Sequence, residues 1–130
     1  MRRTSLITAS LALAALTLGA CNGDNGDDPG EATTNIEVLG TDSLDFEPTS
    51  FTVPAGQEVT VELTSEAGVE HDFVVEDVDG ADIDVVHADP GETATGTFTI
   101  DDAGSYTFFC SVPGHREAGM EGSLEVVEDS

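Results

Sequence analysis

The stretch Tyr106-Thr-Phe-Phe-Cys110-Ser-Val-Pro-Gly-His115-Arg-Glu-Ala-Gly-Met120-Glu-Gly122 opens as a strand and continues as a loop that turns back on itself. Side chains alternate faces along a strand, so Tyr106, Phe108 and Cys110 share one side. Pro113, Gly114 and Gly119 then supply turns that strand residues do not adopt. Four residues separate Cys110 from His115, and four separate His115 from Met120. One short loop can therefore gather a thiol, an imidazole and a thioether around a single point.

Upstream, His71-Asp-Phe-Val-Val75 reads as another strand, with His71 on the same face as Val69, Phe73 and Val75. His71 begins one strand and Cys110 ends another, so the two meet at one pole if those strands are neighbours. Taken singly, a buried Cys is a small hydrophobe, a Met fills gaps and a His sits on the surface. Together, two imidazoles, a thiolate and a weak axial thioether are the donor set of a mononuclear copper site, which serves both the soft reduced ion and the harder oxidised one. Zinc accepts the same imidazoles and thiolate but has little use for the thioether. The expected metal site is His71, Cys110, His115 and Met120, with one copper per chain and Met120 held weakly on the axis.

The rest of the domain reads as short strands. Gln57 to Leu63 alternates, with Val59, Val61 and Leu63 on one face and Glu58, Thr60 and Glu62 on the other. Further strands are expected at Thr34 to Leu39, Ser50 to Val53, His71 to Val75, Thr93 to Ile100, Ser105 to Cys110 and Gly122 to Val127. Turns are expected at Pro54-Ala-Gly56, Asp79-Gly80, Asp89-Pro-Gly91 and Asp102-Ala-Gly104. No helical period or internal repeat is present. Seven or eight strands at this spacing predict an all-β fold, a β-sandwich with Greek-key connections.

The N-terminal segment follows different rules. Arg2 and Arg3 precede an Ala/Leu-rich run from Leu6 to Leu18, and Leu18-Gly-Ala-Cys21 resembles a lipoprotein cleavage box. Residues 1–20 are expected to be a signal peptide and Cys21 the lipidated first residue of the mature chain. Residues 21–34, rich in Gly, Asp and Asn, then form a flexible acidic linker, and residues 35–130 form the copper-binding domain. A disulfide between Cys21 and Cys110 is the competing reading of the two cysteines. Arg2-Arg3 also leaves twin-arginine export open beside the general secretory route.

Of 130 residues, 27 are Asp or Glu and 3 are Lys or Arg, for a formal net charge of −24. Lysine is absent, and Arg116 is the one basic residue outside the signal. This charge excludes nucleic acid and anionic head groups as surface partners and favours a monomer in dilute solution. Such self-repulsion is relieved by salt near molar concentration, where the screening length falls to about 3 Å, which points to halophilic adaptation. The alternative is an acidic face that steers a basic redox partner. The abundant Asp and Glu pairs read as solvated faces rather than acid–base catalysts. His87, beside Asp89-Pro-Gly91, reads as exposed and structural, with no second ligand pattern around it.

The segment from Tyr106 to Gly122, with His71-Asp-Phe-Val-Val75 upstream, resembles the blue copper proteins, or cupredoxins, over about the last hundred residues. The equal spacing from Cys110 to His115 and from His115 to Met120 is similar to the rusticyanin, auracyanin and sulfocyanin branch, and the acidic tethered layout resembles the halocyanins. The resemblance implies a Greek-key sandwich with copper at one end and single-electron shuttling between redox partner proteins. In several relatives an Asn after the first ligand histidine fastens the two ligand loops by hydrogen bonds, whereas Asp72 stands here. A carboxylate lowers the potential and cannot donate an amide proton, while Val112 and Pro113 act oppositely.

The expected function is therefore that of an extracytoplasmic type 1 copper electron carrier, anchored to the outer face of the cell membrane by a lipid on Cys21. A catalytic copper would need further histidines, and the chain has three, so an enzyme is not expected. The rival reading is a copper chaperone or scavenger, which would exchange the metal readily.

Overall fold

The computed structural model describes residues 31–128, and the expected signal, lipidation site and most of the expected linker lie outside them. Nine strands follow in order: β1 (Asn35–Gly40), β2 (Phe46–Glu47), β3 (Ser50–Pro54), β4 (Val59–Ser65), β5 (His71–Val78), β6 (Ala81–Ala88), β7 (Thr93–Phe98), β8 (Gly104–Phe109) and β9 (Glu121–Val127). A single 3-10 turn, Arg116–Ala118, lies between the last two. The strands form a four-stranded sheet of order β2-β1-β4-β7 and a five-stranded sheet of order β3-β9-β8-β5-β6. Pairings are antiparallel except β1 with β4 and β3 with β9, where the chain has crossed between sheets before returning. The result is the expected all-β sandwich.

Alternation builds the core. In β4, Val59, Val61 and Leu63 are fully buried while Glu62 faces solvent, and Ile36 and Val38 of β1 join them. Each such side chain removed from water contributes about 1.5–3 kcal/mol. Beneath the His71 pole, Phe73 and Phe108 stack with ring centroids 4.6 Å apart, and Phe46 meets both edge-on. Gly122 is required beside that stack, because a Cβ there would overlap the Phe108 ring and the Thr49 carbonyl.

Two strands were not expected. β2 has only two residues, too few to show alternation. β6 is longer, but in Ala81-Asp-Ile-Asp-Val-Val-His-Ala88 a register shift places Val86 opposite Phe73 and Asp84 opposite Val74, leaving Val85 extra. The bulge breaks the period of two that would reveal the strand. The Asp79-Gly80 turn was legible because it demands left-handed backbone, and both residues have it, at φ 55° and 87°.

Candidate metal centre

β5 lies beside β8, with Val74 opposite Phe109 and Val75 opposite Phe108. That antiparallel pairing brings the start of β5 and the end of β8 to the same end of the sheet. His71 Nδ1 lies 3.9 Å from Cys110 Sγ, and His115 Nδ1 lies 3.4 Å from the same sulfur. The two rings are 5.1 Å apart, edge to face. His71, Cys110 and Met120 are fully buried, while His115 is half-buried.

Both ends of the loop are tied to one another. The Cys110 N–H donates to the Met120 carbonyl at 3.1 Å, and the Met120 N–H donates to the His115 carbonyl at 3.1 Å. Gly119, at φ 108°, makes the reversal that an L side chain would resist. The structure thus brings all four predicted residues to one pole, with Met120 placed by its backbone next to Cys110.

The opposite sheet orients His71. Its Nε2 lies 2.9 Å from the Thr41 carbonyl, and a carbonyl only accepts, so Nε2 carries the proton and the Nδ1 lone pair faces Cys110. Thr41 is itself fixed: its N–H donates to the Asp45 carbonyl and its hydroxyl accepts from the Asp45 N–H. Gly40, just before it, sits against the imidazole so closely that a Cβ would overlap the ring. Neither Gly40 nor Thr41 was singled out in the sequence, because nothing local marks a residue whose partner is 30 positions away.

Asp72 stands where several relatives carry Asn, and as expected its side chain donates nothing to the thiolate loop. It does fasten the ligand segments, as an acceptor: its Oδ1 takes the Ser111 N–H at 2.6 Å and its Oδ2 takes the Ser111 hydroxyl. Ser111 supplies both donors, so no amide group is needed. The Asp72 N–H also points at Cys110 Sγ, 3.5 Å away.

Burial sets the proton affinities. It pushes the Cys110 thiol up to about 11, against the N–H groups of Asp72 and Val112, which favour the thiolate. Burial also lowers His71, offset by the Thr41 carbonyl and reinforced by His115. The neutral imidazole is the form that binds a metal.

These donors fit an ion of the copper type. Metal–sulfur and metal–nitrogen bonds of about 2.0–2.3 Å place neighbouring donors about 3.5–3.8 Å apart, close to the 3.9 and 3.4 Å from Cys110 Sγ to the two Nδ1 atoms. Cys110 is the one cysteine among the described residues, and its thiol is free.

His87 is exposed, as expected, but it lies in β6 and has company. Its Nε2 is 3.3 Å from carboxylate oxygens of both Glu70 and Asp89. The three form a solvent-exposed cluster, unlike the buried set around Cys110.

Comparison with known proteins agrees with this geometry. Residues 32–127 match the model for copper binding proteins of the plastocyanin/azurin family. A plastocyanin from Mercurialis perennis is 38% identical over 68% of this chain and 96% of its own length. A protein described as a copper-resistant cuproprotein, CopI from Rubrivivax gelatinosus, is 32% identical over 76% of this chain and 70% of its own. Among solved structures, an auracyanin from Roseiflexus castenholzii superposes with a TM-score of 0.62 at 31% identity, covering 75% of this chain and 99% of the other. Auracyanin A, a "blue" copper protein from Chloroflexus aurantiacus, gives 0.63 at 27% identity, covering 72% and 98%. The chain belongs to the copper-binding plastocyanin/azurin family, and is a blue copper cupredoxin.

Proposed function

We propose that this protein is a one-electron carrier in which His71, Cys110, His115 and Met120 would hold copper. The observation that carries the reading is the buried Cys110 sulfur lying between two Nδ1 atoms, one of them on a ring oriented by the Thr41 carbonyl. Copper bound there supplies a reversible one-electron couple. The protein's part is to keep the donors nearly still, so that little rearrangement accompanies each transfer. His71 is locked by a carbonyl of the opposite sheet, and Cys110 by the Asp72 N–H and the loop closure. The half-buried His115, ringed by Val112, Pro113, Gly114 and Ala118, is the exit port toward a partner, and such a patch suits brief, weak encounters.

The chain acts as a transfer protein rather than an enzyme. A lipid on Cys21 would hold it at the outer face of the cell membrane after export, and its charge favours a monomer adapted to salt. Glu37 and Glu62 support the last point: they stand directly opposite in the β1–β4 register and are both exposed, a like-charge pairing that costs stability unless screened.

The test is to add Cu(II) to the purified domain, follow the intense thiolate-to-copper absorption, and record a voltammogram. A blue, reversible couple is expected; a colourless product ends the proposal. A second reading, copper sequestration, draws on the copper-resistant relative from Rubrivivax gelatinosus. Rapid loss of metal upon reduction would favour it.

A further inference from the structure

We infer that Arg116 is a positioning residue that clasps the ligand loop to three adjacent strands and so holds His115 in place; the inference rests on the copper reading above. Arg116 is the one Lys or Arg among the described residues, and it directly follows the ligand on the loop side. Its Nη1 donates to Glu76 Oε1 at 2.8 Å, and its Nε donates to Glu121 Oε2 at 3.1 Å. Its guanidinium carbon lies 4.2 Å above the centre of the Phe109 ring.

The strand register explains why these three groups lie in line. Glu121 stands directly opposite Phe109 in the β8–β9 pair, and Val74 stands opposite Phe109 in the β5–β8 pair. Glu76 lies two residues beyond Val74, on the same face. One guanidinium thus spans β9, β8 and β5, with an aromatic floor and a carboxylate on each side. That planar fork with a stacking face is a geometry lysine cannot reproduce.

What the clasp covers is also specific. Val74 and Phe109 are 3% and 8% exposed, yet neither belongs to the main core between the sheets. They form a small apolar patch on the outer face, across the sheet from the Cys110 side chain, and Arg116 lies over it with its aliphatic stem and its charged plane. Releasing the clasp would open that patch to water and free the 3-10 turn that begins at Arg116. It would also leave Glu76 and Glu121 without their cation, and Glu121 directly follows Met120. The charge change favours the oxidised ion, whereas the lost positioning loosens His115.

The experiment compares holo wild type, Arg116→Gln, Arg116→Lys and Glu121→Gln by copper release to a chelator, EPR of the Cu(II) form, reduction potential, and apo-domain thermal unfolding. Outer groups that orient metal ligands typically contribute 10–100-fold in affinity, so Arg116→Gln should release copper about tenfold faster, with a lower potential and an altered copper hyperfine splitting. Arg116→Lys keeps the charge and should keep most of the potential, but not the slow release. Glu121→Gln cuts one arm and should give a smaller acceleration; it remains informative if Arg116→Gln does not fold. Unchanged release, EPR and potential in folded Arg116→Gln, or in Glu121→Gln should the former not fold, would overturn the clasp while leaving the copper site standing. A shift in apo unfolding alone would reduce Arg116 to a packing residue. A colourless wild type would instead sink the copper reading itself.

Discussion

His71 and His115 present the same nitrogen to the same sulfur from two different kinds of support. His71 starts a central strand, is fully buried, and takes its orientation from Thr41 on the opposite sheet. His115 sits half-buried on a loop that is closed by main-chain bonds between Cys110, His115 and Met120. The first half of the site is framework, fixed by the packing of the whole sandwich. The second is local, fixed by its own short sequence. Perturbing the framework should therefore spread into stability, whereas perturbing the loop should stay within the metal's properties.

The sharpest break in that pattern comes from the atom both halves share. Cys110→Ser replaces a soft thiolate by a hard hydroxyl of similar size, and it should abolish the blue absorption completely. Because Cys110 is packed rather than disulfide-bonded, the domain should still fold, as amide dispersion in NMR would show. Persistent blue colour would mean that another sulfur binds the metal.

A pair of glycines tests the two halves against each other. At Gly40 a methyl group would meet the His71 ring, so Gly40→Ala should destabilise the apo-domain by about 1–3 kcal/mol, the usual overpacking cost, and weaken copper binding as well. At Gly114 the added methyl meets open space, but φ is +86°, so Gly114→Ala should cost about 1–2 kcal/mol from backbone strain alone. Urea unfolding of both apo-proteins with parallel copper titrations separates the outcomes. Equal losses of copper affinity in the two would erase the distinction between framework and loop.

These contrasts also explain what was legible in the sequence. The loop was readable because its ligands are spaced evenly and its turn residues are Gly and Pro. The strands with clean alternation, β4 above all, were equally plain. The Thr41 carbonyl was not, since any residue type carries a carbonyl and only the fold decides where it points. β6 was hidden by its bulge and by acidic residues so frequent along the chain that their alternation carries little information. The Arg116 clasp depends on register across three strands, so a sequence shows the cation without its carboxylates. Asp72 stood out as a departure, but its fastening role was hidden, because it depends on Ser111 turning two donors toward it.

Proton linkage comes next in size. Burial holds the Cys110 thiol at about 11, so at neutral pH the apo-protein carries that proton and Cu(II) must displace it. His71 is already neutral there, because its proton affinity is lowered. Apparent copper affinity should therefore rise about tenfold per pH unit between about pH 7 and 10, with close to one proton released from Cys110 per ion bound. Calorimetry in buffers of different ionisation enthalpy measures that release. A flat profile would show that the thiol is already ionised, and that the N–H groups of Asp72 and Val112 outweigh burial.

The smallest effect is expected at His87, which shares the β5–β6 ladder with His71: Ala88 stands opposite His71, and His87 opposite Asp72. The two histidines are thus one rung apart, on opposite faces, and differ in almost everything else. His87 is exposed and contacts Glu70 and Asp89 through pairs that are half or more open to solvent, where such interactions contribute little. His87→Gln should change stability by no more than about 0.5 kcal/mol and leave the blue absorption and the potential where they were. The informative failure is a shifted potential with unchanged stability. Glu70 directly precedes His71, so that result would mean that the charge cluster on the outer face reaches the framework histidine through the backbone they share, and that β5 does not insulate the metal from the surface.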